Sequence, residues 1–127
     1  MDVLTAINPS TGEVAGEVAV TPLTACVEMV EKSRQAFADW SRKPIKERIA
    51  LLRRLREGII EQLDDLVDVI VTSTGKPAVE ALTADVLVVV DMLHYLETHA
   101  EKILATKPVK TPILLFGKRS YISYMPR

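Results

Sequence analysis

Residues 82–103 read LTADVLVVVDMLHYLETHAEKI. Leu82, Val86, Val89, Leu93, Leu96, Ala100 and Ile103 recur at steps of 4, 3, 4, 3, 4 and 3. That spacing lines them along one side of an α-helix and predicts packing against other helices. The longest apolar run, from Val86 to Val90, stops at Asp91. It falls far short of the roughly 20 apolar residues that cross a bilayer, so no membrane partner is expected.

Immediately upstream, Thr74-Gly75-Lys76-Pro77 reads as the end of a preceding helix. Gly75 suits the left-handed conformation of a C-cap, and Pro77 prevents the helix from resuming. Before it, Ile49, Leu52, Leu55, Ile59, Leu63, Leu66 and Ile70 repeat at helical steps behind Pro44. They predict an amphipathic helix of some 28 residues with a break point between Gln62 and Asp65. Further back, Leu23, Cys26, Val30, Ser33, Phe37 and Trp40 share one face of another helix. Its start is read at Thr21-Pro22, with the threonine hydroxyl at the N-cap and the proline at the first helical position. Residues 3–20 alternate β-favouring runs around Asn8-Pro9-Ser10-Thr11-Gly12, which predicts a hairpin.

Downstream of residue 106 the period changes. Pro108 and Pro112 argue against helix, and two runs, Ile113 to Phe116 and Arg119 to Tyr124, read as extended strands on either side of Gly117. The expected class is therefore α+β: an N-terminal β-hairpin (1–20), three amphipathic helices (21–106) and C-terminal strands (107–127). Those strands have no evident partner in the chain except the first hairpin. Another chain or segment is expected to pair with them.

The chain has 127 residues, 48% hydrophobic and 26% charged, the composition of a globular domain able to bury about two thirds of its surface. Its formal net charge of −1 hides an asymmetry. Lys107, Lys110, Lys118, Arg119 and Arg127 face no acidic residue in the last 21 positions. The near-neutral total argues against a nucleic-acid partner, and the basic ending reads as the guard of an edge strand. The amino terminus lacks a basic start followed by an apolar run, so no secretory signal is read and a cytoplasmic location is expected.

The chemistry-bearing side chains support mainly exclusions. Cys26 lies on an apolar helix face without a nearby base, which predicts a buried structural thiol. His94 and His99 are five apart, about 500° round a helix, so they do not make a metal pair. Gly75-Lys76 is not a phosphate loop, because Ile70 replaces the leading glycine and Pro77 the following hydroxyl. Five glycines spread along the chain do not form a dinucleotide fingerprint.

Six motifs, in order, resemble the amino-terminal part of the aldehyde dehydrogenase superfamily. Ile7-Asn8-Pro9-Ser10-Thr11-Gly12-Glu13 is similar to its opening I-N-P-A-T-G-E hairpin. Phe37-Ala38-Asp39-Trp40 resembles A-F-x-x-W, and Glu47-Arg48 with Leu51-Leu52 resembles E-R-x-x-L-L. Thr74-Gly75-Lys76-Pro77 with Glu80-Ala81 resembles E-T-G-K-P-x-x-E-A, and Asp91 to Tyr95 resembles an aromatic-bearing third helix. Ile122 to Arg127 is similar to the strand that precedes the family's G-V-V-G. Ser73 and Met125 stand where the family usually has glutamates.

The resemblance implies an NAD(P)-dependent oxidation of an aldehyde through a covalent thiohemiacetal, hydride transfer and thioester hydrolysis. It also implies that the catalytic Cys of G-Q-x-C, the base Glu of E-L-G-G-K and the cofactor-binding segments lie outside these 127 residues. No catalytic, cofactor or metal residue is assigned, and NAD or NADP is expected in the parent enzyme alone. The chain is expected to be a structural and assembly segment, inactive in isolation. It would belong with the remainder of its subunit, with residues 21–106 as cofactor-domain scaffold and 107–127 in a bridging sheet. Candidate self-association residues are Ile113, Leu115, Tyr121, Ile122 and Tyr124, making a homo-oligomer or a swapped dimer. The competing expectation is a stand-alone helical interaction module that binds a partner by strand addition.

Overall fold

The computed structural model describes residues 2–126, and they form an α+β arrangement. Strands β1 (Val3–Ile7) and β2 (Val14–Ala19) pair antiparallel, with a register shift between Ala6 and Ile7. The turn between them is closed by its own side chains: the Ser10 N–H donates to Asn8 Oδ1 at 2.9 Å. Asn8 N–H donates to the Glu13 carbonyl and Gly12 N–H to the Asn8 carbonyl, each at 2.8 Å. Asn at the start of such a turn replaces a backbone acceptor, which is why this sequence turns here.

Three helices follow: α1 (Leu23–Trp40), α2 (Ile45–Glu61) and α3 (Leu63–Thr74). Pro22 and Pro44 occupy the N-cap positions of α1 and α2. Thr21 therefore lies one residue too early to cap α1, contrary to the expectation, and no side chain caps that end. The expected 28-residue helix is divided at Gln62, whose backbone leaves the helical region (φ −106°, ψ 23°). α3 stops at Gly75, which takes φ +72°, the left-handed cap that glycine adopts without a Cβ penalty. Helix then restarts at α4 (Ala78–Glu80), passes through a π-helical turn (Ala81–Val86), and continues as α5 (Leu87–Leu104).

The π turn resets the apolar stripe. Leu87 N–H donates to the Leu82 carbonyl five residues back, so the residues that share a face there are five apart. Ala81 and Val86 are accordingly both buried, and Leu93 and Ala100 continue the line at intervals of seven. Ala81 takes the place expected for Leu82, and Val89 is exposed. Across this line packs α2, with Ile49 buried against α5.

The core is small. The chain exposes 10,418 Å², whereas a compact protein of 14.1 kDa exposes about 6,700 Å². It buries about half of its extended-chain surface rather than the expected two thirds. Part of the surplus is on α1, which buries none of its residues and leaves Leu23, Val27, Met29 and Val30 exposed. Cys26 is exposed with them, correcting its expected burial: the face it belongs to is apolar but uncovered.

At the carboxyl end, β3 (Lys107–Val109) and β4 (Ser120–Ile122) pair with each other, not with the first hairpin. The run from Ile113 to Phe116 is not a strand. Pro112 starts a 3-10 turn at Ile113–Leu115, with Leu115 N–H donating to the Pro112 carbonyl at 2.9 Å and Lys118 N–H to the Leu115 carbonyl at 3.0 Å. Proline fixes φ and removes a donor, so local turn bonds take precedence here over the β preference of Ile and Phe.

Candidate functional site

The strongest polar cluster joins α2 to α5. Arg56 Nε lies 2.6 Å from Glu97 Oε1 and Arg56 Nη2 lies 3.3 Å from Oε2, while Arg53 Nε reaches Oε2 at 3.2 Å. The two arginines are one helical turn apart, so both point at one carboxylate, and a planar guanidinium matches its two oxygens. The Glu97 side chain is only 4% exposed. The hydrogen bond from Arg56 holds its carboxyl below the ordinary range, outweighing the burial that pushes it upward. The same bond raises the Arg56 guanidinium. No motif marks Glu97 in the sequence. Its signal was an acid set four residues after Leu93 and three before Ala100, inside an otherwise apolar face.

A second tie closes the helical restart. Lys76 Nζ meets Asp85 Oδ2 at 2.6 Å, and this bond raises the lysine above its usual value. Beside it, Gly75 lets the first hairpin approach: a Cβ there would lie 2.6 Å from Ser10 Oγ and 2.8 Å from Pro9 Cγ. Thus the hairpin turn and the α3 cap, 65 residues apart, fit together only through a glycine. The Ser73 hydroxyl turns back onto the Val69 carbonyl at 2.7 Å.

His99 stacks on Tyr95 with ring centroids 4.3 Å apart, and its Nδ1 lies 2.7 Å from Thr98 Oγ1. Among the described residues no three potential ligands gather for a metal. A cleft of about 390 Å³ opens between α2, α5 and residues 124–126, and its polar lining is Arg48, Glu101 and Tyr124. It holds no thiol or imidazole. The glycines with positive φ, Gly12, Gly75 and Gly117, belong to three separate turns, so they do not build a cradle for a dinucleotide pyrophosphate.

The proposed self-association residues are divided by the structure. Tyr121 and Ile122 lie in β4, opposite Pro108 and Lys107. Tyr124 follows that strand, while Ile113 and Leu115 lie in the 3-10 turn. Among the described residues the β3–β4 sheet has two strands, so each carries one unpaired edge there. Pro108 depletes β3 of a ladder donor, which leaves β4 the better edge.

Comparison with known proteins identifies this arrangement. The sequence profile of the aldehyde dehydrogenase family matches residues 2–127. The 4,4'-diapolycopene aldehyde oxidase of a Methylomonas species is 33% identical over 116 residues, covering 91% of this chain and 22% of that protein. The succinate-semialdehyde dehydrogenase [NADP(+)] of Deinococcus radiodurans is 28% identical over 106 residues, covering 84% of this chain and 22% of that protein. The chain thus spans about a fifth of the length of these relatives. A solved structure described as "Structural insights into cofactor and substrate selection by Gox0499" shares the fold with a TM-score of 0.84. It is 22% identical and covers 97% of this chain and 26% of that one. No helix among the described residues is long and apolar enough to cross a membrane. With the family profile running from the first hairpin through the last strand pair, the chain belongs to the aldehyde dehydrogenase family.

Proposed function

We propose that this chain is the amino-terminal structural and assembly segment of a cytoplasmic NAD(P)-dependent aldehyde dehydrogenase, the parent enzyme oxidising an aldehyde to a carboxylate. The observation that carries the reading is the surplus surface. A family segment spanning 22% of its relatives exposes 10,418 Å², and its apolar α1 face and β-sheet edges are the surfaces that the rest of a subunit would cover. On this reading the helices are scaffold for the cofactor domain, and Arg56–Glu97 and Lys76–Asp85 fix that scaffold's shape. Residues 107–127 belong to the bridging sheet, with Tyr121, Ile122 and Tyr124 at a contact between copies. The nicotinamide cofactor would supply the hydride acceptor of the parent reaction. These residues do not fit it, and no chemical step is assigned to them.

Purified chain is incubated with a range of aldehydes and NAD or NADP while reduced nicotinamide is followed by absorbance. Rates equal to those of buffer are expected, and turnover above buffer overturns the proposal. The open β4 edge also favours a second reading, a self-contained module that binds one partner by strand addition. Size-exclusion chromatography with light scattering separates the two. The segment reading expects self-association through uncovered surfaces, whereas a monodisperse monomer favours the module.

A further inference from the structure

We infer that the Arg48 guanidinium is a carboxylate-binding point, taken in the parent enzyme by an acidic side chain from the part of the subunit outside these 127 residues. The inference rests on the segment reading above and names one contact by which the rest of the subunit is held.

Helix α2 arranges its cations so that this one is left over. Lys46 lies 3.8 Å from Glu101, and Arg53 and Arg56 share Glu97, so each of these three meets an acid of α5. Arg48 falls between them in sequence and makes no ion pair among the described residues. Its side chain is half-buried, and its Nε is buried with no hydrogen-bond partner among those residues. Buried N–H groups are nearly always paired, and a charge drawn out of water needs a counter-charge as well as acceptors. That requirement arises inside the fold, whatever the extent of the exposed surface.

Arg48 lines the cleft of about 390 Å³ between α2, α5 and residues 124–126, where Ile45, Leu104 and Met125 supply apolar wall. Of the lining residues only Glu101 is acidic, and it is turned to Lys46. A carboxylate matches the planar fork of guanidinium donors and also neutralises it, whereas a hydroxyl or an amide supplies an acceptor without the charge. This chain spans 22% of the relatives described above. Most of a subunit is therefore available to bring that carboxylate, and to cover the apolar wall along with it.

The probe is acetate. The whole chain is melted by circular dichroism in sodium acetate and in sodium chloride, at one pH, ionic strength and protein concentration. Acetate should raise the midpoint by about a degree or more, with millimolar or weaker affinity because a lone carboxylate lacks the covering segment. Arg48→Met keeps the apolar stem of the side chain. Its midpoint in chloride should equal or exceed the parent's, since an unpaired donor has been removed, and its acetate increment should vanish. Arg48→Lys, which keeps the charge without the fork, should retain only part of the increment. Arg54→Met, at an exposed arginine of the same helix, should retain all of it. Equal increments in the parent and in Arg48→Met overturn the inference. So does an Arg48→Met chain that melts well below the parent in chloride or fails to fold, because Arg48 would then already have its partner. Saturation at micromolar acetate overturns the assignment to the subunit and makes the cleft a site for a free small carboxylate. Turnover and association state, which test the segment reading itself, enter none of these outcomes.

Discussion

Arg56 and Glu97 face each other across α2 and α5 with both carboxylate oxygens engaged, at 2.6 and 3.3 Å. The pair sits beside the buried line of Val86, Leu93 and Ala100, so it clamps the two helices that carry most of the core.

Glu97→Gln keeps the shape and removes the charge. It should lower the thermal midpoint by several degrees near neutral pH, with Arg53 and Arg56 left facing an uncharged amide. The folded-state carboxyl lies below its ordinary value. Its stabilisation is therefore complete above the unfolded value, about 4.3, and fades as the pH falls from there through the depressed folded value. Melts of parent and variant should differ at neutral pH and converge in acid. A gap that is constant with pH would sink this assignment.

Gly75→Ala should be among the most damaging single-methyl additions in the chain. A φ of +72° costs an alanine about 1–2 kcal/mol, and the new Cβ also meets Ser10 Oγ and Pro9 Cγ at 2.6 and 2.8 Å. Urea denaturation measures the loss. Gly58→Ala is the control, because a Cβ at Gly58 meets nothing within 4 Å. If both substitutions have equal effects, the hairpin does not dock on the α3 cap.

Leu93 is buried and Val30 is 53% exposed, although both lie on apolar stripes. Leu93→Ala should cost about 2–5 kcal/mol, and Val30→Ala should change stability by no more than about 0.5 kcal/mol. Cys26, on the same uncovered helix, should react with a thiol reagent without denaturant. A protected thiol together with a costly Val30→Ala would show that α1 is covered in solution.

Ile122→Lys places a charge on the exposed β4 strand opposite Lys107. If β4 is the contact between copies, light scattering should show the mean mass falling toward that of one chain. An unchanged mass would assign self-association to another surface, with α1 the next to test.

How much of this was legible in the sequence depended on the range of the interactions. The Asn8–Gly12 turn, the break near Gln62 and the Gly75 cap follow from local backbone preferences, and each lies where the residues put it. The Thr21 cap failed by one residue, since Pro22 took the N-cap position. Periodicity found the stripe of α5 but not the π turn, which depends on which residue, Ala81 or Leu82, meets neighbouring helices. It also placed Cys26 on an apolar face, yet an apolar face is buried only where something covers it. The Arg56–Glu97 clamp joins residues 41 positions apart, and no local spacing rule reaches that far. At Ile113 to Leu115 β propensity was outweighed by the proline that precedes it.

The limited burial of this chain bears on how it unfolds. Denaturant sensitivity and the heat-capacity change both scale with the surface newly wetted on unfolding. A chain that already leaves α1 and the last hairpin in water has less left to expose. Its transition should therefore be broad, with a shallow dependence on urea and a flat stability curve. Sharp cooperativity would come only when a covering surface makes α1 part of the same melting unit.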